Sequence, residues 1–416
     1  MLIKSGINIA DLLGITGWEI TSYSLNEIKG EVTLHIERGT NTYYKCGKCK
    51  TDLLICYDHY DERLVRDMSI WGYKCYISFS QARVKCPCCN SVQAEYLNWV
   101  ESYQRQTIRY EKYLASLCDY MPVMDVAEIE SVNKNTLYRI DKKWLKWRND
   151  LCKRNDVVKH LGIDEIAIKK NHKYATVFYD LERSRVIGLV KGRKQRNASS
   201  FFRKWGKENC KRVEAVCTDL WAAFHNSVKI HLKQATLIFD KFHVFKYLSD
   251  ALEAVRRNEQ AQLAEEGKKV LKGCRWLILK RKLTRHKDKR RLREVMNLNK
   301  NIMKAVLLKE EFYRFYDAVN AIEAEEILKE WTEQCNESGL KPFIKLAKRL
   351  NRWQEGILKF FDLRISNGVS EGINNKIKVI KRRSYGFHDM DYFFLKILNA
   401  TGMFPHMREI AHPRLS

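Results

Sequence analysis

The stretch VVKHLGIDEIAI, residues 157–168, decides how this chain is read. It is apolar enough for a buried strand, yet Asp164 interrupts it, and a carboxylate there is costly unless a cation neutralises it. The pattern recurs twice: Asp219 closes the apolar run VEAVCTD (213–219), and Glu371 lies within RISNGVSEGINNKIK (364–378). Outward from 157–168, short apolar segments at 173–180, 184–190, 213–218 and 235–239 have strand length. Helices are expected at 197–208, 220–231 and 241–260. Three successive strands, then alternating helices and strands, predict an α/β fold.

The 416 residues suffice for two to four domains with real cores. At 45% hydrophobic residues, a disordered chain is excluded. The net charge of +26, from 76 basic and 50 acidic residues, favours a polyanionic partner, because each neutralised phosphate releases counterions; the plain alternative is a basic surface with no partner. The start, MLIKSGINIADLLGITGWEI, is broken by Asp11 and glycines and lacks the apolar core of a signal peptide. No apolar run is long enough to predict a membrane span. Thirteen scattered cysteines are expected to be mostly reduced thiols in a cytosolic protein.

Three acids from separate elements, in so basic a chain, point to a Mg²⁺-dependent enzyme acting on nucleic acid. A two-metal site needs carboxylates converging on ions roughly 3.5–4 Å apart, and Mg²⁺ takes hard oxygen ligands. Asp164 lies on the first strand, and Asp219 at the carboxyl end of a later one, where open α/β sheets place their sites. On a helix, Ile373, Ile377 and Ile380 form one stripe, while Glu371, Asn375, Lys378 and Arg382 form the opposite face. The cations Lys376, Lys378, Lys381, Arg382 and Arg383 follow Glu371 directly and are candidates for holding DNA. Each acid taken singly also reads as an ordinary surface or capping residue. Glu165, Asp180, Asp240 and Asp362 are rivals that spacing does not exclude.

Residues 1–100 read as a β-rich module: in EVTLHIERGT, Val32, Leu34 and Ile36 alternate with polar residues. Its Cys46-x-x-Cys49 and Cys86-x-x-Cys89 pairs would make a closed, tetrahedral, structural Zn²⁺ site. The 36 residues between the pairs require a hairpin, and Cys88 is an alternative to Cys86 or Cys89. Cys56 and Cys75 read as core residues. The plain alternative for all of them is unpaired thiols.

Residues 101–150 read as helical, with one helix from Tyr110 to Tyr120 ended before Pro122. Two further helices join at 131–134, with Val126, Ile129, Val132, Leu137 and Ile140 spaced like a helix-turn-helix core. The second, Asn135 to Trp144, would carry Lys134, Asn135, Thr136, Tyr138 and Arg139 outward, with Asn135, Thr136 and Arg139 reaching DNA in the major groove. A plain helical linker is the alternative. Residues 155–260 carry the α/β pattern, and 261–350 are helical and charged. LKRKLTRHKDKRRLR (279–293) is either a phosphate track or a solvated helix face. Residues 351–416 return to amphipathic helices containing Glu371.

LGIDE (161–165), CTDLWAAF (217–224), IFDKFHVFKYLSDALEAVRR (238–257) and SNGVSEGINNKIKVIKRRSYGFHD (366–389), in this order, resemble the ISL3-type insertion-sequence transposases of bacteria. The resemblance spans nearly the whole chain, since that family also carries an N-terminal cysteine module and a helix-turn-helix. It implies a DDE transposase with an RNase H-like mixed sheet flanked by helices. Asp164 and Asp219 then match the two catalytic Asp residues, and Glu371 the catalytic Glu. Asp240 and His243, in DKFH, look like an accessory Asp-x-x-His pair; a histidine simply satisfied by a nearby carboxylate is the alternative. The 152 positions from Asp219 to Glu371 imply a helical insertion, roughly 261–350, in that core.

Such an enzyme would use two Mg²⁺ ions and one structural Zn²⁺, and would bind terminal inverted repeats and target double-stranded DNA. It would act as a homodimer or higher, in the bacterial cytoplasm at the nucleoid and not in a membrane. Two rivals stand beside it. One is a non-catalytic zinc and helix-turn-helix DNA-binding regulator derived from a transposase; the other is an RNase H-type nuclease or resolvase without element specificity.

Overall fold

The computed structural model describes residues 13–39, 43–53, 55–152, 157–169, 173–262, 271–384 and 386–404. The start of the signal-peptide reading, including Asp11, lies outside them. The chain forms two compact units: Met1–Cys152 with Phe387–Asn399 and Phe404–Ser416, and Lys153–Gly386 with Ala400–Met403. The sequence reading groups 351–416 together, whereas the structure places Phe387–Asn399 with the N-terminal unit.

Among the described residues the first unit opens with nine short strands: β1 (Trp18–Asn26), β2 (Glu31–Arg38), β3 (Tyr44–Lys45), β4 (Asp52–Leu53), β5 (Asp58–His59), β6 (Arg63–Arg66), β7 (Lys74–Phe79), β8 (Ala82–Cys86) and β9 (Ser91–Ala94). They form sheets ordered β1-β2-β7-β6, β5-β8-β9 and β3-β4. Ile36, Val65, Ile77 and Phe79 pack with Trp18 and Trp99 in the core under the largest sheet. Helices Ile108–Leu117, Val123–Ile129 and Lys134–Leu151 follow. Thr107 and Asn133 cap the first and third by accepting from Tyr110 N and Asn135 N, and Ser131 makes the left-handed turn between the last two, at φ 51°.

Tyr110, Leu114, Val126, Leu137, Ile140 and Trp144 form the helical core. Ile129, expected inside it, is 64% exposed, because its helix stops there and the chain turns. The third helix runs further than the expected Asn135–Trp144, and its added turns have a partner. Helix Met390–Ala400 lies along it: Tyr392 and Lys396 bond the buried Asp141, and Arg148 bonds Asn399 at 2.9 Å. Arg148 is fully buried and reaches both oxygens of Asp119 at 3.0 Å.

The second unit carries β10 (His160–Lys169), β11 (Lys173–Asp180), β12 (Arg185–Lys191), β13 (Ala215–Thr218) and β14 (Thr236–Phe239), in the order β12-β11-β10-β13-β14. β10, β11 and β12 pair antiparallel, while β10-β13 and β13-β14 pair parallel. The parallel strands are apolar runs, as strands buried on both faces should be. Helices Gln195–Trp205 and Ala222–His231 pass beside the sheet as connections. Helices between Lys241 and Leu363 share one core with Ile238 and Phe239 of β14. Phe312, Phe315, Trp331 and Phe343 fill its centre.

Candidate active site

Register brings the first two acids together. Ile163 of β10 lies opposite Thr218 of β13, and Thr218 lies opposite Phe239 of β14. The next residue in each case is an aspartate: Asp164 within β10, and Asp219 and Asp240 just past the ends of β13 and β14. Three parallel neighbours thus carry acids at one level of the sheet.

His243, in the first turn of helix Lys241–Gln262, stands between two of them. Its Nδ1 is 3.5 Å from Asp219 Oδ1, and its Nε2 is 3.9 Å from Asp164 Oδ1. Asp240 is buried and accepts from the backbone N–H groups of Phe242 and Asn367, each at 3.4 Å. Burial pushes the Asp164 and Asp240 carboxyls above the ordinary carboxylate range, against the pull of His243.

Helix Gly368–Arg383 brings the third expected acid to this end of the sheet. Its Asn374 donates to Asp164 Oδ2 at 2.9 Å and accepts from the buried Tyr179 hydroxyl at 2.7 Å. Glu371, one turn earlier, is exposed and has no hydrogen bond or ion pair with any described residue. The structure therefore joins Asp164 to Asp219 through His243, whereas Glu371 makes no bond to that group. Among the described residues the three acids do not form a cluster with all ligand atoms within 4.8 Å.

Sequence reasoning missed the supporting residues. Tyr247 donates to Asp219 Oδ1 at 3.4 Å, and Arg349 donates to the Tyr247 hydroxyl at 2.8 Å while lying 3.7 Å from its ring centroid. Burial, and then Asp219, push the Tyr247 hydroxyl up to about 12. Arg349 belongs to the charged helical region that reads only as an insertion, so no local pattern marks it. Asn374 sits in EGINNK, where its polar doublet with Asn375 was the available signal.

The cysteine module forms a second site. Cys46, Cys49, Cys86 and Cys89 have all sulfurs within 4.8 Å of one another. Cys46 and Cys89 are 3.9 Å apart, and Cys49 and Cys86 3.5 Å; four thiolates around one tetrahedral ion stand about 3.8 Å apart. Each pair caps a hairpin and is followed by a left-handed residue, Lys50 at φ 64° and Asn90 at φ 46°. Gly47 is required, because a Cβ there would collide with the Ala94 carbonyl. The Thr51 hydroxyl draws the Cys49 thiol down to about 6, and donating a hydrogen bond to Cys49 pushes the Cys89 thiol up to about 12. Cys88 is exposed, 3.8 Å from Thr51 Oγ1, and stands outside the cluster.

On the third helix of the first unit, Lys134, Asn135 and Arg139 are exposed and Thr136 is half-buried. Tyr138, expected to point outward with them, instead bonds Asp389 at 2.6 Å and packs edge-on against Tyr392. Beyond Glu371, Lys376, Lys378, Arg382 and Arg383 are exposed, and Lys381 reaches the Ala167 carbonyl at 3.3 Å. Helix His286–Leu298, the core of the basic run, buries Val295 and exposes most of its cations.

Residues 161–397 match a family described as Transposase, the DDE group of type ISL3. Residues 95–145 match the helix-turn-helix domain of transposase family ISL3. The chain is 31% identical over 342 residues to the transposase for insertion sequence element IS1001 of Bordetella parapertussis, covering 80% of this chain and 83% of that one. It is 23% identical over 374 residues to the transposase for insertion sequence element IS1557 of Mycobacterium tuberculosis, covering 83% and 84%. The class is therefore that of a DNA-modifying enzyme with a helix-turn-helix DNA-binding domain. Within it, the chain belongs to transposase family ISL3, the transposases of insertion sequences. No helix among the described residues is long and apolar enough to cross a membrane.

Proposed function

We propose that this transposase binds the terminal inverted repeats of its insertion sequence and catalyses Mg²⁺-dependent phosphodiester hydrolysis and strand transfer into target DNA through Asp164, Asp219 and Glu371. The observation that carries this reading is the parallel register that sets Asp164, within β10, beside Asp219, just past the end of β13, with His243 between them. The sheet order, an antiparallel trio leading into two parallel strands, supports an RNase H-like core. The helical region 261–350 then reads as its insertion.

The residues suit divalent cations. Asp164 is held above the usual range by burial, with Asp219 adding to the effect, and hard cations relieve such crowding of carboxylates. Asp164, Asp219 and Glu371 would hold two Mg²⁺ ions, which when bound neutralise the phosphate and activate the attacking oxygen. Asn374 fixes the Asp164 carboxylate, and Tyr247, backed by Arg349, fixes Asp219. Asn374, one turn from Glu371, already touches Asp164, which supports Glu371 as the third ligand. Lys376, Lys378, Lys381, Arg382 and Arg383 would hold the DNA backbone.

The four cysteines would hold one structural Zn²⁺. Asn135, Thr136 and Arg139 would read the repeats, with the third helix in the major groove. Joining two element ends calls for a homodimer or higher, and the substrate places the enzyme in the bacterial cytoplasm, at the nucleoid.

A second reading, a non-catalytic DNA-binding regulator derived from a transposase, draws on the three acids not forming a cluster with all ligand atoms within 4.8 Å among the described residues. Cleavage separates the two. Asp219→Asn is expected to abolish Mg²⁺-dependent cleavage of terminal-repeat DNA while leaving gel-shift binding to it intact. Wild-type cleavage by that variant overturns the assignment, and absence of cleavage by the wild type under varied metals favours the regulator.

A further inference from the structure

One cleft in the second unit has no part in the site described above, yet is tied to both of its aspartates. It measures about 660 Å³ and is lined by Tyr174 of β11, Trp221 and the loop after β12, with Arg193, Lys194 and Arg196. Glu165, the residue after Asp164, pairs with Arg193 at 3.3 Å. The Trp221 backbone N–H bonds the Asp219 carbonyl at 2.7 Å. One wall, Trp221, is therefore two residues from Asp219, and the other, Arg193, is paired with the neighbour of Asp164.

The loop is firmly built. Gly192 N bonds the Tyr174 carbonyl at 2.7 Å, and the Thr176 hydroxyl bonds the Gly192 carbonyl at 2.8 Å. Gly192 sits at φ +91°, and a Cβ there would lie 2.8 Å from Asn197 Oδ1, which already accepts from Lys194 N at 3.0 Å. Arg193 lies between two rings, 4.3 Å from the Tyr174 centroid and 5.3 Å from that of Trp221. Trp221 remains 41% exposed, and Lys194 and Arg196 are exposed on the rim.

An exposed indole stiffened by a guanidinium, with cations at its rim, is the combination that binds a nucleic-acid strand by its base faces and phosphates together. Paired bases within a duplex hide their faces in the stack. We propose that this cleft is a subsite for the DNA strand next to the cleaved phosphate, with an unpaired base stacked on Trp221 and the adjoining phosphates against Lys194 and Arg196. The proposal rests on the transposase reading. The rival role for the Tyr174–Arg193–Trp221 arrangement is a rivet that only stiffens the fold.

The test uses the full chain, Mg²⁺ and a duplex of the terminal repeat flanking its own coding region, with 5-iodouracil placed in turn at thymines around the cleavage site. Long-wavelength irradiation is expected to join Trp221 to a nucleotide adjoining that site, located by peptide mass spectrometry. Trp221→Ala is expected to lower kcat/KM for cleavage roughly fivefold to hundredfold, with Trp221→Phe recovering most of it and gel-shift binding to the repeat unchanged. Arg196→Gln, at an exposed position, is expected to raise KM and leave kcat unchanged. The subsite is overturned if the wild type cleaves but no adduct forms on Trp221 and Trp221→Ala cleaves at the wild-type rate. If the wild type cleaves no terminal-repeat DNA, the transposase reading itself falls, and the subsite with it.

Discussion

Asn374 holds Asp164 across 210 positions of sequence, donating its side-chain N–H at 2.9 Å. The Asp164 carboxylate only accepts, so it faces the amide nitrogen. That leaves the amide oxygen to accept from the Tyr179 hydroxyl at 2.7 Å. A strand acid, a neighbouring strand's tyrosine and a distant helix are thereby locked as one unit, and Glu371 rides on that helix.

Asn374→Leu removes the donor and frees the helix start relative to Asp164. Cleavage of terminal-repeat DNA is expected to fall about tenfold to hundredfold, the usual penalty for displacing a reacting group by an ångström. Tyr179→Phe removes the donor to the amide oxygen but keeps the bond to Asp164, and is expected to lose less. Single-turnover cleavage beside a gel-shift titration checks both; unchanged cleavage in Asn374→Leu would dismiss the arrangement as incidental.

The strands of the second unit were legible because strands buried in a covered sheet are short apolar runs. The expected 157–168, 173–180, 184–190, 213–218 and 235–239 correspond to β10 to β14 within a few residues. Asp164 and Asp219 stood out because acids ending such runs are costly. Tyr247, Arg349 and Asn374 did not, since their convergence joins separate helices and leaves no local period. Tyr138 misled for a related reason: helical spacing shows which face is apolar but not that helix Met390–Ala400 covers its flank. The place of Glu371 on its helix was legible, whereas its distance from the aspartates depends on how the whole helix seats.

The cysteine module makes a sharp discrimination between neighbours. Cys86→Ser removes one of four sulfurs that lie within 4.8 Å of each other, whereas Cys88→Ser touches none of them. Metal analysis of purified protein is expected to find about one zinc per chain in the wild type and in Cys88→Ser, and a large loss in Cys86→Ser. Equal zinc in both variants would remove Cys86 from the ligand set.

Gly162 is a steric requirement two residues before Asp164. A Cβ there would stand 2.7 Å from both Asn367 Oδ1 and Leu181 Cδ2. Asn367 is buried and begins helix Gly368–Arg383 as its cap, so relief must push that helix or bend β10. Gly162→Ala is expected to cost about 1–3 kcal/mol in stability and to depress cleavage more than a destabilised but folded control such as Gly188→Ala, whose clash is with the Phe201 ring. Denaturant titration and single-turnover cleavage measure the two effects; equal cleavage in both variants would show that the helix start tolerates the methyl group.

Asp389 ties the last described helix to the third helix of the first unit, and the tie depends on charge. It accepts from the Tyr138 hydroxyl at 2.6 Å and from the Lys142 ammonium, and one of its oxygens caps its own helix by accepting from Tyr392 N at 3.0 Å. Burial works to raise its carboxyl, but Lys142, Tyr138 and the cap together outweigh burial and hold it well below the ordinary range. A carboxyl depressed in the folded state contributes its full stability above its unfolded pKa, near 4, and loses it as pH falls through the lower folded value. The stability difference between wild type and Asp389→Asn is therefore expected to be constant, at about 1–3 kcal/mol, from neutral pH down to about pH 5. Below the ordinary carboxylate range it should shrink toward zero. Urea titrations at a series of pH values, followed by the fluorescence of the first unit, measure it. A difference that persists undiminished in strong acid would mean that Asp389 holds the helix by packing rather than by its charge.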